Sequence, residues 1–111
     1  MKRSIQSNQR KVELLTFIVS ADGATVTGLD KNQVSVADTG TGVKTVTLSE
    51  AMTSGDYSVL VTTATADSVA QVSITSSSVF VVNTFDSTDG TTAKDAICHI
   101  LVIGSKIAER A

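Results

Sequence analysis

Apolar positions along this chain come in short runs, most of them alternating with Thr, Ser or charged residues, and turn-forming clusters break them at intervals of about 8 to 14 residues. The clearest run is "VKTVTLS", residues 43–49, where Val46 and Leu48 alternate with Thr45 and Thr47 in the two-residue period of a half-buried strand. "QVSVAD", residues 33–38, repeats the pattern with Val34 and Val36. "KVELLTFIVS", residues 11–20, mixes alternation with a continuous apolar stretch, and Phe17, Ile18 and Val19 favour a strand over a short helix. "YSVLVTTA", residues 57–64, sets Tyr57, Val59 and Val61 on one face and Leu60 and Ala64 on the other, as in an interior strand. "SVAQVSI" (68–74), "VFVVNTF" (79–85), "ICHILVI" (97–103) and a short piece at 24–27 complete about eight strands.

Between these runs lie Asp22-Gly23, "DTGTG" at 38–42, Ser54-Gly55-Asp56 and the serines at 76–78, all turn chemistry. Short strands at this spacing predict an all-β domain, a β-sandwich or jelly roll of about eight short strands with an extended N-terminal arm. A length of 111 residues allows one such domain and not two. The expected boundaries are a basic arm at 1–10, the sandwich at 11–105 with Gly104 ending the last strand, and a tail at 106–111.

The final run is the anomaly. Residues 97–103 are apolar on both faces, with His99 the one polar interruption, whereas a surface strand should alternate. The reading is that one face fills the sandwich and the other is covered by a sister subunit, with Cys98, Ile100 and Val102 the expected subunit-interface residues. Proline is absent, so strand edges lack a common backbone block, and pairing with a neighbour is one way to shield them.

Composition sharpens this picture. Val, Thr and Ser make up roughly 40% of the chain, which suits pleated surfaces, while aromatics are 4% and Trp is absent, so Val, Ile, Leu and Ala are expected to fill the core. The net charge of −2 offers no cationic field for nucleic acid. It is unevenly placed: Lys2, Arg3, Arg10 and Lys11 give residues 1–11, which contain no acid, a charge of +4, leaving −6 on the rest, five bases against eleven acids. A basic arm on an acidic body suits docking on an acidic surface. No run reaches the length of a membrane helix, and Glu13 and Thr16 interrupt the resemblance of residues 12–21 to a signal peptide, so neither a membrane nor a targeting segment is expected.

Candidate chemistry is sparse. Cys98 is the one cysteine, which excludes an intramolecular disulfide, and its apolar setting makes it a small core residue. His99 is the one histidine; mid-strand, it is expected to be a buried, hydrogen-bonded imidazole and not part of a triad. "TGTG" lacks the spacing and the Lys-Ser/Thr of a phosphate-binding loop and reads as a hairpin. Asp86 and Asp89-Gly90 suggest a calcium loop, but Ile97 stands where the bidentate Glu belongs, so a turn is expected. Asp67, Asp89 and Asp95 could converge on a cation or sugar only through the fold. No enzyme activity, metal or cofactor is expected.

Three stretches, "VADTGTGVKTVTLSEAM", "YSVLVTTATADSVAQVSI" and "VFVVNTFDSTDGTTAKDAICHILVIGS", resemble small virion proteins of tailed bacteriophages across about residues 37 to 105. The ending, of the form "TFDxxDGTxAxDxxxHxLVxG", is the most specific part. The resemblance implies a virion surface protein, and the first reading of it is a capsid decoration (cement) protein, a homotrimer on the outer capsid surface of the virion that binds across neighbouring major capsid protein subunits. Lys2, Arg3, Arg10 and Lys11 would then form a capsid-binding arm. The alternative it implies is the receptor-binding knob of a head or tail fibre, recognising a cell-surface glycan through loops such as 86–96. The brevity of the chain, with no room for a fibre shaft, favours decoration.

Overall fold

The computed structural model describes residues 10–107, with side chains described for residues 12–105. Eight strands follow one another: β1 (Arg10–Val19), β2 (Val26–Thr27), β3 (Val34–Gly40), β4 (Val43–Leu48), β5 (Ser58–Thr63), β6 (Ser68–Ile74), β7 (Val79–Asp86) and β8 (Cys98–Ile107). They form two antiparallel four-stranded sheets, ordered β2-β1-β8-β5 and β3-β4-β7-β6, packed face to face as a β-sandwich.

Local chemistry explains the hairpins. In the β1–β2 connection Gly23 takes a φ of 74°, and the Asp22 Oδ1 accepts from the Ser20 hydroxyl at 2.7 Å and the Ala24 N–H at 3.0 Å. "DTGTG" joins β3 to β4 as a hairpin whose register shifts between Asp38 and Gly40, and Gly42 takes a φ of 70°. The first and last strands meet in the middle of one sheet, paired from Arg10↔Ile107 to Val19↔Cys98.

Inward positions follow the two-residue period. Val46 and Leu48 are buried and Thr47 is exposed, as the alternation required. The core holds Leu15, Phe17 and Val19 from β1, Val46 and Leu48 from β4, Phe80 and Val82 from β7, and Cys98, Ile100 and Val102 from β8. Aliphatic side chains do not fill it alone. Phe17 and Phe80 are among its largest fully buried members, and the ring of Tyr57 meets that of Phe80 edge-on at 6.3 Å. A few rings suffice because each buries far more area than a valine.

Two boundaries differ from expectation. Gly104 does not end β8, which runs on to Ile107 through the first residues of the expected tail. The glycine is there for contact: a Cβ would meet the Met52 Sδ at 2.7 Å and the Tyr57 Cβ at 2.9 Å, so its absence lets the β4–β5 connection lie against the strand. Of the expected arm, Arg10 and Lys11 open β1, while Lys2 and Arg3 lie outside the described residues.

Candidate functional site

Cys98, Ile100 and Val102 are 0, 2 and 0% exposed within a single chain. They therefore line the sandwich core, and the expectation that they form a subunit interface is corrected: pleating turns them toward the β3-β4-β7-β6 sheet. The outward side of β8 belongs to the alternate set, Ile97, His99, Leu101 and Ile103. His99 is accordingly exposed and not buried, since both its neighbours in sequence point inward.

Register turns this outward set into a surface. Leu14 lies opposite Ile103, which lies opposite Ser58; in the next row Thr16, Leu101 and Leu60 align; in the next, Thr27, Ile18, His99 and Thr62. Val12, Leu14 and Leu60 are 67, 58 and 53% exposed. The result is an apolar strip running along β1 and β8. The opposite outer face of the sandwich is mixed: Val43, Val69, Val79, Val81 and Phe85 lie among Ser35, Thr45, Thr47, Gln71, Ser73 and Asn83, and of these apolar residues Val69 alone is prominently exposed, at 44%. Isolated exposed apolar residues are ordinary, but a contiguous strip marks a contact surface. The two-faced character of β8 hinted at it, whereas the contribution of β1 was hidden because Leu14 and Ile18 adjoin inward residues of the same character, Leu15, Phe17 and Val19.

At its far end the strip opens into a cavity of about 500 Å³, lined by Ile18, Ala21 and Ile97 with Ser20, Asp22, Thr25 and Thr27 around them. Asp22 is held below the ordinary carboxylate range by the Ser20 hydroxyl first and the Ala24 N–H second. The cavity has the character of an apolar cup beside an anion.

The β7–β8 connection is built from side-chain caps. The Asp89 carboxylate accepts from the Thr92 hydroxyl and from the N–H groups of Thr91 and Thr92, both at 3.0 Å, which holds its pKa down at about 2. Asp86 is lowered by the N–H and hydroxyl of Thr88. Lys94 Nζ donates to the carbonyls of Ala66 and Asp67 at 2.8 and 3.2 Å, tying this connection to the β5–β6 turn, where Asp67 has a φ of 55°. The Asp95 Oδ1 accepts from the Gly42 N–H at 2.7 Å. Asp67 lies in the β5–β6 turn, Asp89 in the turn after β7 and Asp95 further along the same connection, and among the described residues no three His, Cys, Asp or Glu side chains form a metal-ligating group. These turns are as the sequence predicted.

Lys44 was missed by the sequence reading. It is 1% exposed and donates through Nζ to the Ala96 carbonyl at 3.3 Å, the same oxygen that the Cys98 Sγ meets at 3.4 Å. It shares the inward parity of Val46 and Leu48, so alternation pointed to it and only its charge argued otherwise. The Cys98 thiol is pushed up by burial, with Lys44 opposing weakly. A buried, high-pKa thiol is a poor nucleophile.

Among the described residues no helix is long and apolar enough to cross a membrane. No protein-family model matches the chain, and neither a curated protein nor a solved structure does.

Proposed function

We propose that this β-sandwich is a structural virion protein that decorates and cements a bacteriophage capsid, binding as a homo-oligomer across neighbouring major capsid protein subunits. The observation that carries the reading is the apolar strip on one outer face, where Val12, Leu14 and Leu60 are each more than half exposed. A protein whose task is to be covered by neighbours needs such a face. Burying one large aliphatic side chain contributes about 1.5 to 3 kcal/mol, so a few per copy, repeated over a lattice, hold it in place. Ligation to the assembled shell alone stabilises that shell by mass action.

The resemblance of residues 37 to 105 to small virion proteins supports the same reading, as does the basic arm on an acidic body, which suits an acidic docking surface. The arm leads into β1, beside Val12 and Leu14, so arm and strip would engage one partner together.

The test is the copy number in purified virions. Decoration requires a count in fixed proportion to the shell protein; a small count confined to a vertex or tail would instead make the chain a fibre knob, and absence from particles would sink both readings. Deleting residues 1–9, which precede β1, is expected to leave the sandwich folded and lower occupancy on capsids.

A further inference from the structure

We infer that two copies of the chain pair antiparallel through the outer edge of β1, about a twofold axis at Val12. In its own sheet β1 has β8 on one side, while on the other the two-residue β2 covers only Ile18 and Val19. Thr16 is satisfied by a loop: its N–H donates to the Asp30 Oδ2 at 2.8 Å, and its carbonyl accepts from the Asp30 N–H at 3.0 Å. Strand alternation turns the N–H and C=O of Leu14 and Val12 to that same side. Among the described residues none meets them. A bare edge of this kind is a template for another strand; no proline or register shift interrupts β1, and the short 3-10 helix Lys31–Gln33 that packs against it follows Asp30, which sits at Thr16.

The occupant follows from charge and register. A twofold axis at Val12 pairs Val12 with its own copy and Arg10 with Leu14, positions whose backbone groups alternation leaves on the open side. It also sets Lys11 opposite Glu13 of the second copy, twice over by symmetry, and opposite charges in cross-strand pairs are favourable. Moving the axis to Glu13 would set two Glu13 residues against each other and bring Arg10 against Thr16, whose groups Asp30 already holds. Moving it to Leu14 would call on Thr16 again, against Val12. An axis at Lys11 also uses open positions, Arg10 against Val12, but sets two lysines opposite each other, so the Val12 register alone combines open positions with opposite charges. Pairing joins the strips of two copies, and Leu29, 84% exposed beside Asp30, borders the same edge.

This pairing does not rest on the capsid reading, and it replaces the threefold symmetry implied by the resemblance with a twofold contact. The experiment uses the isolated full chain without capsids, so failure of either proposal is distinguishable. Sedimentation equilibrium is expected to give twice the 11.5 kDa chain mass, or an even multiple of it. Val12→Lys sets two like charges at the axis and is expected to reduce that to the single-chain mass with an unchanged circular dichroism spectrum. Because Cys98 is buried, Val12→Cys under mild oxidation is expected to give a covalent dimer, whereas Thr16→Cys, beside Asp30, is not. A monomer at all concentrations, a trimer, or a mass that a folded Val12→Lys chain leaves unchanged overturns the inference. Should Val12→Lys fail to fold, the contrast between the two cysteine variants decides, equal cross-linking counting against the pairing.

Discussion

Replacing Gly42 with alanine is expected to cost far more stability than replacing Gly90, although the two residues have nearly the same backbone conformation, φ of 70° and 69°. That left-handed region costs a residue bearing a Cβ about 1 to 2 kcal/mol, and both substitutions incur it equally. Both also remove the same chain freedom from the unfolded state, so that effect cancels between them. What separates them is space. Nothing lies within 4 Å of a Cβ at Gly90, whereas at Gly42 a Cβ would sit 2.5 Å from the Thr84 carbonyl oxygen and 3.0 Å from the Lys94 nitrogen. Both obstacles are backbone, and neither can rotate away. Relief requires parting the hairpin from β7 and the strand connection, which stretches the Thr84 N–H bond to the Gly42 carbonyl at 2.8 Å and the Gly42 N–H bond to the Asp95 Oδ1 at 2.7 Å. At about 1 kcal/mol for each bond, Gly42→Ala should lose about 3 to 4 kcal/mol against about 1 to 2 for Gly90→Ala. The gap corresponds to a difference in melting temperature of about 8 to 12 °C for a domain of this size. Thermal unfolding followed by circular dichroism at one fixed protein concentration measures it, since any association would otherwise shift both midpoints. Equal losses would refute the reasoning, because they would mean that the close approach at Gly42 relaxes without cost.

Two further outcomes follow from the titrating groups. The bonds from Thr92 and Thr91 hold the Asp89 pKa at about 2, below its ordinary value near 3.9, so their contribution to folding is complete above that value and is lost as pH falls toward 2; a carboxyl carbon titration by NMR checks this, and a midpoint at the ordinary value would contradict the capping geometry. Burial raises the Cys98 pKa, so an aromatic disulfide reagent at neutral pH is expected to find no reactive thiol in the folded chain and one after denaturation, while prompt reaction in the native state would show that β8 opens readily.

Apart from the far end of β8, which runs four residues past Ile103, strand positions were legible in the sequence to within a residue or two because Val, Thr and Ser alternate so regularly, and because turns such as those at Gly23, Gly42 and Gly90 take the positive φ that glycine admits. Which strands would share a sheet was not legible, since nothing local distinguishes the partners of β5 from those of β6. The same limit explains the error over Cys98, Ile100 and Val102. A strand apolar on both sides raises the expectation of two covering surfaces, but parity alone does not say which side is the inner one. His99 followed that error, as its exposure depends on the same choice. Gly104 misled for a different reason: glycine stops strands and also admits close neighbours, and only the positions of Met52 and Tyr57 distinguish the two roles. The apolar strip draws on three strands far apart in sequence, so it exists only once β1, β8 and β5 are side by side.

The embrace of β1 by β8 sets a condition on biosynthesis. β1 leaves the ribosome well before β8 and must wait for it, and β5 waits for it too, so half of the sandwich has no scaffold until β8 has been made. A truncated product missing the last segment would leave greasy orphans exposed and invite clearance or clumping. Proofreading is thereby written into the topology: a chain without β8 never acquires the outer strip.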